Sequence, residues 1–309
     1  MVEDKKFAVL IDADNVSSKY VKIILDEISD YGVATYKRIY ADWTTPNSTS
    51  WKDVLLENSI TPIQQYGYTV GKNSTDAAMI IDAMDILYSG HVDGFCIASS
   101  DSDFTRLASR LRESGMFVVG MGEKKTPKPF IVACNQFKFL DILAQTEDSN
   151  DSSESSDVVA KEGSSLIYEG NSKLYEGRKS SNTDSDNGDS SKTMTDINVI
   201  KTTIYKMLNE IDSEDQSMNM GELGSKLVKR YPDFDVRNYG DKKLSKFLSK
   251  FEFLDIKTKG KDGTSMWASL KPNIENHLEE KSDLEGSNKK TYKKHYRSNY
   301  RNKNYKKKY

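Results

Sequence analysis

In the first 121 residues, short apolar runs alternate with stretches of helical periodicity, and few folds accommodate that pattern. Residues 7–11, 33–40, 60–66, 94–98 and 116–121 are rich in β-branched and aromatic side chains and predict strands. Between them, Val16, Tyr20, Ile24 and Ile28 are spaced for one helical face. Ala77, Ile80, Ile81, Met84 and Leu87 are spaced for a second, and Leu107 and Leu111 alternate with Arg106, Arg110 and Glu113 on a third. Strand and helix in alternation predict an α/β fold, a doubly wound parallel sheet with right-handed crossovers. Pro129–Cys134 and the run Phe137–Leu143 are expected to close this domain near residue 144.

Aspartates fall where strands should end or helices begin. Asp12 follows the first strand, within Asp12-Ala13-Asp14-Asn15, and Asp101 and Asp103 follow the fourth. Asp76 opens a helix behind Thr75, where it could cap the helix or reach a metal. Open α/β sheets place their sites at the carboxyl ends of the strands. With strand order 3-2-1-4-5, Asp12 and Asp101 would leave neighbouring strands at the point where the order reverses. Carboxylates converging on one crevice stay ionised only with positive charge between them. An oxygen-rich, water-retaining site of this kind suits Mg²⁺ or Mn²⁺, and metal-assisted phosphodiester hydrolysis. Asp12, Asp76, Asp101 and Asp103 are therefore the candidate catalytic and metal-holding set, with Asp14 behind them. Asp82 lies six residues past Asp76, about 240° around a helix, and should not share its face. Asn15 and Ser100 lie beside the acids, and Lys72, Lys124, Lys125 and Lys128 are candidate holders of a polyanionic backbone.

Composition bounds the rest. A mean hydropathy of -0.68 and 30% charged residues over 309 positions predict a chain that is only partly globular. The net charge of -2 conceals segregation: residues 146–196 hold twelve acids against five bases, whereas 287–309 hold eight lysines, two arginines and no acid. Residues 145–194, rich in Ser, Asp, Asn and Gly, predict a disordered linker. Two cysteines, Cys96 and Cys134, with no Cys-x-x-Cys spacing, exclude a disulfide scaffold or a structural zinc site. No apolar run reaches the roughly 20 residues of a membrane span, and strand-forming sequence begins at Phe7 with no signal-peptide pattern, so a reducing, cytoplasmic setting is expected.

Residues 195–270 regain order as three amphipathic helices: Ile200–Ile211, Met220–Tyr231 and Leu244–Phe251. Two strand-like pieces, Phe253–Ile256 and Ser265–Ala268, flank a basic turn that includes Lys257, Lys259 and Lys261. Three helices and a basic hairpin describe a winged helix. Lys242, Lys246 and Lys250 recur every four residues on the third helix, and with Arg237 they form a candidate phosphate-contacting surface. Residues 271–309 predict a disordered basic tail in which Tyr292, Tyr296, Tyr300, Tyr305 and Tyr309 alternate with cations. Cations neutralise phosphates and rings stack on unpaired bases, which favours RNA over base-edge readout of duplex DNA.

The segments LIDADN, GKNSTDAAMIIDAMDILY, SSDSDF and GEKKTPKPFIVACNQF resemble the LabA-type NYN domain of the PIN-like nuclease superfamily, over about residues 5–143. The resemblance implies metal-dependent RNA cleavage with Asp12, Asp76, Asp101 and Asp103 as the acid set, near Asn15 and Ser100. The segment MGELGSKLVKRYPDFDVRNYGDKKLSKFLSKFEFLDI resembles the OST-HTH/LOTUS domain, on the Pro232-Asp233-Phe234-Asp235 turn, Tyr239-Gly240 and Lys243-Leu244. This implies RNA binding and protein interaction. The expected organisation is a nuclease domain over 1–144, a linker over 145–194, a winged helix over 195–270 and a tail over 271–309. The expected function is a Mg²⁺- or Mn²⁺-dependent ribonuclease with an accessory RNA-binding unit. Two rivals stand beside it. One is an RNA-binding adaptor without catalysis. The other is a HAD-type phosphatase, which Asp12-Ala13-Asp14 and Val16 suit but Ser100-Asp101-Ser102-Asp103 does not.

Overall fold

A computed structural model describes residues 4–44, 50–66, 74–151, 194–211, 217–259 and 265–271. Most of the expected linker, all of the tail beyond residue 271, and Lys72 and Lys261 lie outside the described residues.

The first unit is a six-stranded parallel sheet in the order β3-β2-β1-β4-β5-β6. Its strands are β1 (Lys6–Asp12), β2 (Val33–Ala41), β3 (Thr61–Gln64), β4 (Gly94–Ala98), β5 (Phe117–Gly122) and β6 (Gln136–Phe139). Its helices are α1 (Val21–Ser29), α2 (Lys52–Asn58), α3 (Ser74–Ser89), α4 (Thr105–Glu113), α5 (Lys128–Ala133) and α6 (Leu140–Asp151). Both faces are covered. Along β1, Ala8 and Leu10 pack against α3, α4 and α5, and Phe7, Val9 and Ile11 pack against α1, α2 and α6. A strand buried on both sides reads as an unbroken apolar run, which is why these strands stand out in the sequence.

The expected strand order holds, with β6 added at the edge. Phe137–Leu143 reads as one continuous segment because strand passes directly into helix at Phe139 and Leu140. That last helix extends to Asp151, past the expected close at residue 144. Order reverses between β1 and β4, and the crevice beyond their carboxyl ends is the natural place for a site.

The second unit gathers α7 (Ile197–Asn209), α8 (Met220–Arg230) and α9 (Leu244–Ser249) on a three-stranded antiparallel sheet. The sheet order is β7 (Ser217–Asn219), β9 (Ser265–Leu270), β8 (Leu254–Lys259). Ile200, Ile204, Leu223, Leu227, Phe247 and Leu248 are fully buried at its centre. Asp233 of the Pro-Asp-Phe-Asp turn is buried and anchors the start of this unit, accepting from the Thr195 backbone N–H at 2.6 Å and its hydroxyl at 2.7 Å. The third helix is shorter than its lysine spacing suggests: six residues, with Lys242 before it and Lys250 at its C-cap. No helix among the described residues is long and apolar enough to cross a membrane.

Candidate metal centre

Two segments bring three of the acids together. Asp76 sits in the first turn of α3, and Asp101 and Asp103 lie in the turn leaving β4. One carboxylate oxygen from each of these three lies within 4.8 Å of the others. The first turn of a helix ordinarily favours an ionised acid. Asp76 departs from that: its pKa is pushed from 3.8 to about 6, by burial first and then by Asp12, Asp101, Asp103 and Asp14. All five causes act in one direction, the signature of burial and negative charge gathered in one place.

Asp12 forms the floor rather than part of this trio. It is 1% exposed, and both its oxygens are engaged. Oδ1 accepts from the Asp14 backbone N–H at 3.1 Å, and Oδ2 accepts from the Asn15 amide at 2.8 Å and the Ser99 hydroxyl at 2.7 Å. Burial still raises its pKa, the three hydrogen bonds and Asp14 being lesser influences. Ser99 also accepts from the Asp101 backbone N–H at 3.1 Å, so one buried hydroxyl couples Asp12 to the Asp101 turn. Asp101 in turn caps its own 3-10 turn, Oδ1 accepting from the Asp103 N–H at 2.9 Å. Strand period could not single out Ser99 from Ser100, because alternation ends where the strand does.

The neighbouring residues expected to touch nucleic acid divide. Asn15 spends its amide on Asp12. Ser100 is buried and its hydroxyl accepts from the Glu123 N–H at 2.9 Å, tying the loop after β4 to the end of β5. Lys124, Lys125 and Lys128 are exposed at the carboxyl edge beyond β5, on the same edge as the acids. Lys125 pairs with Glu123 at 2.9 Å. Asp82 is engaged with Arg38 and Tyr40, away from the acid trio, as its helical phase requires.

In the second unit, the expected phosphate surface is thinner than its sequence. Arg237 is not presented to a ligand: its guanidinium pairs with Glu27 and Asp235. Lys250 pairs with buried Asp241 at 2.5 Å. Lys246 is exposed on α9, and Lys242 is exposed just before it.

The family model for the NYN domain matches residues 6–142, and the model for the OST-HTH/LOTUS domain matches residues 195–266. The chain pairs an NYN domain with an OST-HTH/LOTUS domain. NYN domains belong to the PIN-like nuclease superfamily, whose members typically use divalent metals, and the OST-HTH/LOTUS domain points to RNA binding. No match was found among curated proteins. A crystal structure of a protein of unknown function from Vibrio parahaemolyticus RIMD 2210633 is similar, with 18% identity, a TM-score of 0.39, and coverage of 45% of this chain and 94% of that one. The donor set of the NYN site is all carboxylate oxygen, which fits a hard divalent cation and not a thiophilic one.

Proposed function

We propose that this protein is a divalent-metal-dependent ribonuclease of the LabA-type branch of NYN domains, acting in the cytoplasm. The convergence of Asp76, Asp101 and Asp103, with Asp12 beneath them, carries this reading. Those three acids would hold Mg²⁺ or Mn²⁺, and Asp12 would complete the negative field. The cation would supply charge stabilisation for the phosphoryl oxygens and a more acidic water. The chain's own residues do the positioning. Ser99 and Asn15 fix the Asp12 carboxylate, Asp101 orders its own turn, and Lys124, Lys125 and Lys128 line the approach with positive charge for the RNA backbone. The OST-HTH/LOTUS unit, through Lys242 and Lys246, and the basic tail hold single-stranded or structured RNA. The same unit is also a candidate contact for a protein partner.

The test is cleavage of a mixed single-stranded RNA by the purified full chain, with Mg²⁺ or Mn²⁺ and with EDTA. Cleavage should require the cation. Asp101→Asn should lower the rate by about a hundred-fold or more while the circular dichroism spectrum is unchanged. Wild-type rates in folded Asp101→Asn, or equal cleavage in EDTA, would defeat the assignment. RNA binding with no metal-dependent cleavage would favour the adaptor instead.

A further inference from the structure

We propose that the OST-HTH/LOTUS unit is docked on the open edge of the NYN sheet as a fixed part of one body, with Glu27, Lys138, Asp235 and Arg237 as the docking residues. An edge strand presents unpaired backbone groups, and a soluble protein must cover or blunt them. β6 is the edge strand here, and its Phe137 N–H donates to the carbonyl of Pro232 in the second unit at 2.8 Å. Strand alternation sends Phe137 and Phe139 into the NYN core and turns Lys138 to the opposite face. There Lys138 Nζ meets Asp235 at 2.6 Å and Glu27 at 3.6 Å.

Arg237 closes the group. Its guanidinium forks onto both oxygens of Glu27, at 2.5 and 2.9 Å, and donates from Nε and Nη2 to Asp235 at 3.0 and 2.8 Å. Two acids and two bases thus form a neutral set, with Glu27 and Lys138 from one unit and Asp235 and Arg237 from the other. Their side chains are 11%, 13%, 10% and 29% exposed, respectively. Units joined by a tether alone would leave these long side chains in water. Bidentate geometry of this kind sets register more than it adds affinity. Little affinity is needed, because both units belong to one chain and their docking is intramolecular. Apolar contact adds to it: Met194, at the threshold of the second unit, packs against the NYN core. Lys138 from the first unit joins Arg237, from Asp235's own unit, in holding Asp235 well below the usual carboxylate range against burial. The consequence, which rests on the ribonuclease reading, is that RNA held by the second unit meets the acid edge at one fixed separation.

Spin labels on Glu57→Cys and Ser249→Cys, both exposed positions, report the distance between units in the full chain. The native Cys96 and Cys134 are fully buried and stay unlabelled. The doubly labelled parent should give one narrow distance distribution, and adding Glu27→Arg should abolish it. If Glu27→Arg does not fold, Arg237→Ala, at the most exposed corner of the group, decides in its place. A broad distribution in the parent overturns the proposal, as does a narrow one that survives the loss of the ion group. Neither outcome bears on RNA cleavage, so failure here is distinct from failure of the nuclease reading.

Discussion

Asp76 is where the acid site should reveal itself without substrate. Its folded pKa of about 6 lies above the ordinary 3.8, so the folded chain binds this proton more tightly than the unfolded chain does. Stability from this group is therefore full below about pH 4 and is lost as pH rises through about 6. At neutral pH without a cation, the ionised Asp76 works against folding. Asp76→Asn should raise the melting temperature of EDTA-treated protein at pH 7 by about 2–4 °C, roughly 1 kcal/mol after discounting for partial exposure. The same substitution should flatten the thermal profile between pH 4 and 6. Mg²⁺ should stabilise the wild type above pH 6 and have little effect on Asp76→Asn. Melting curves across pH with and without Mg²⁺ check this. Parallel profiles for the two proteins would show that the charge is not stored at this residue.

At the scale of elements, the site depends on how closely the loop after β4 lies against the end of β5. Gly122 makes that approach possible. A Cβ there would come within 2.6 Å of the Ser99 carbonyl oxygen and Thr126 Oγ1, and 3.0 Å of Ser100 Oγ. Gly122→Ala should therefore push Ser99 away from Asp12. The expected cost is about 1–3 kcal/mol of stability and about 10–100-fold in cleavage, the range for outer partners of metal-site ligands. Urea titration and the RNA assay measure the two. Full activity would mean that Ser99 does not position the acids. The strands themselves were legible because burial on both faces writes them as β-branched runs. The acids were legible because each follows a strand or opens a helix. Local spacing misled at α9, where Lys242, Lys246 and Lys250 keep a helical period through residues outside the helix. The Glu27–Arg237 contact was beyond any local pattern, since its partners lie 210 positions apart.

For the whole molecule, the question is where salt-dependent RNA binding resides. The docked arrangement removes Arg237 from the phosphate surface, and Asp241 engages Lys250. That leaves the sequence beyond residue 286, with its ten Lys and Arg and no acid, as the densest positive charge in the chain. Each phosphate neutralised on a single strand contributes about -0.7 to the slope of log affinity against log salt. If about half of those ten cations engage phosphates, deleting 287–309 should flatten the slope by about 3.5 and weaken binding most at low salt. The tyrosines should leave a salt-insensitive loss as well, because stacking does not depend on counterion release. Metal-dependent cleavage of a short RNA should persist in the truncated chain, since the acids and the lysines beyond β5 are untouched. Affinity measured against salt concentration for the full and truncated proteins separates these contributions. Equal slopes and affinities would return the tail to a solubilising role and place RNA retention on the OST-HTH/LOTUS unit alone.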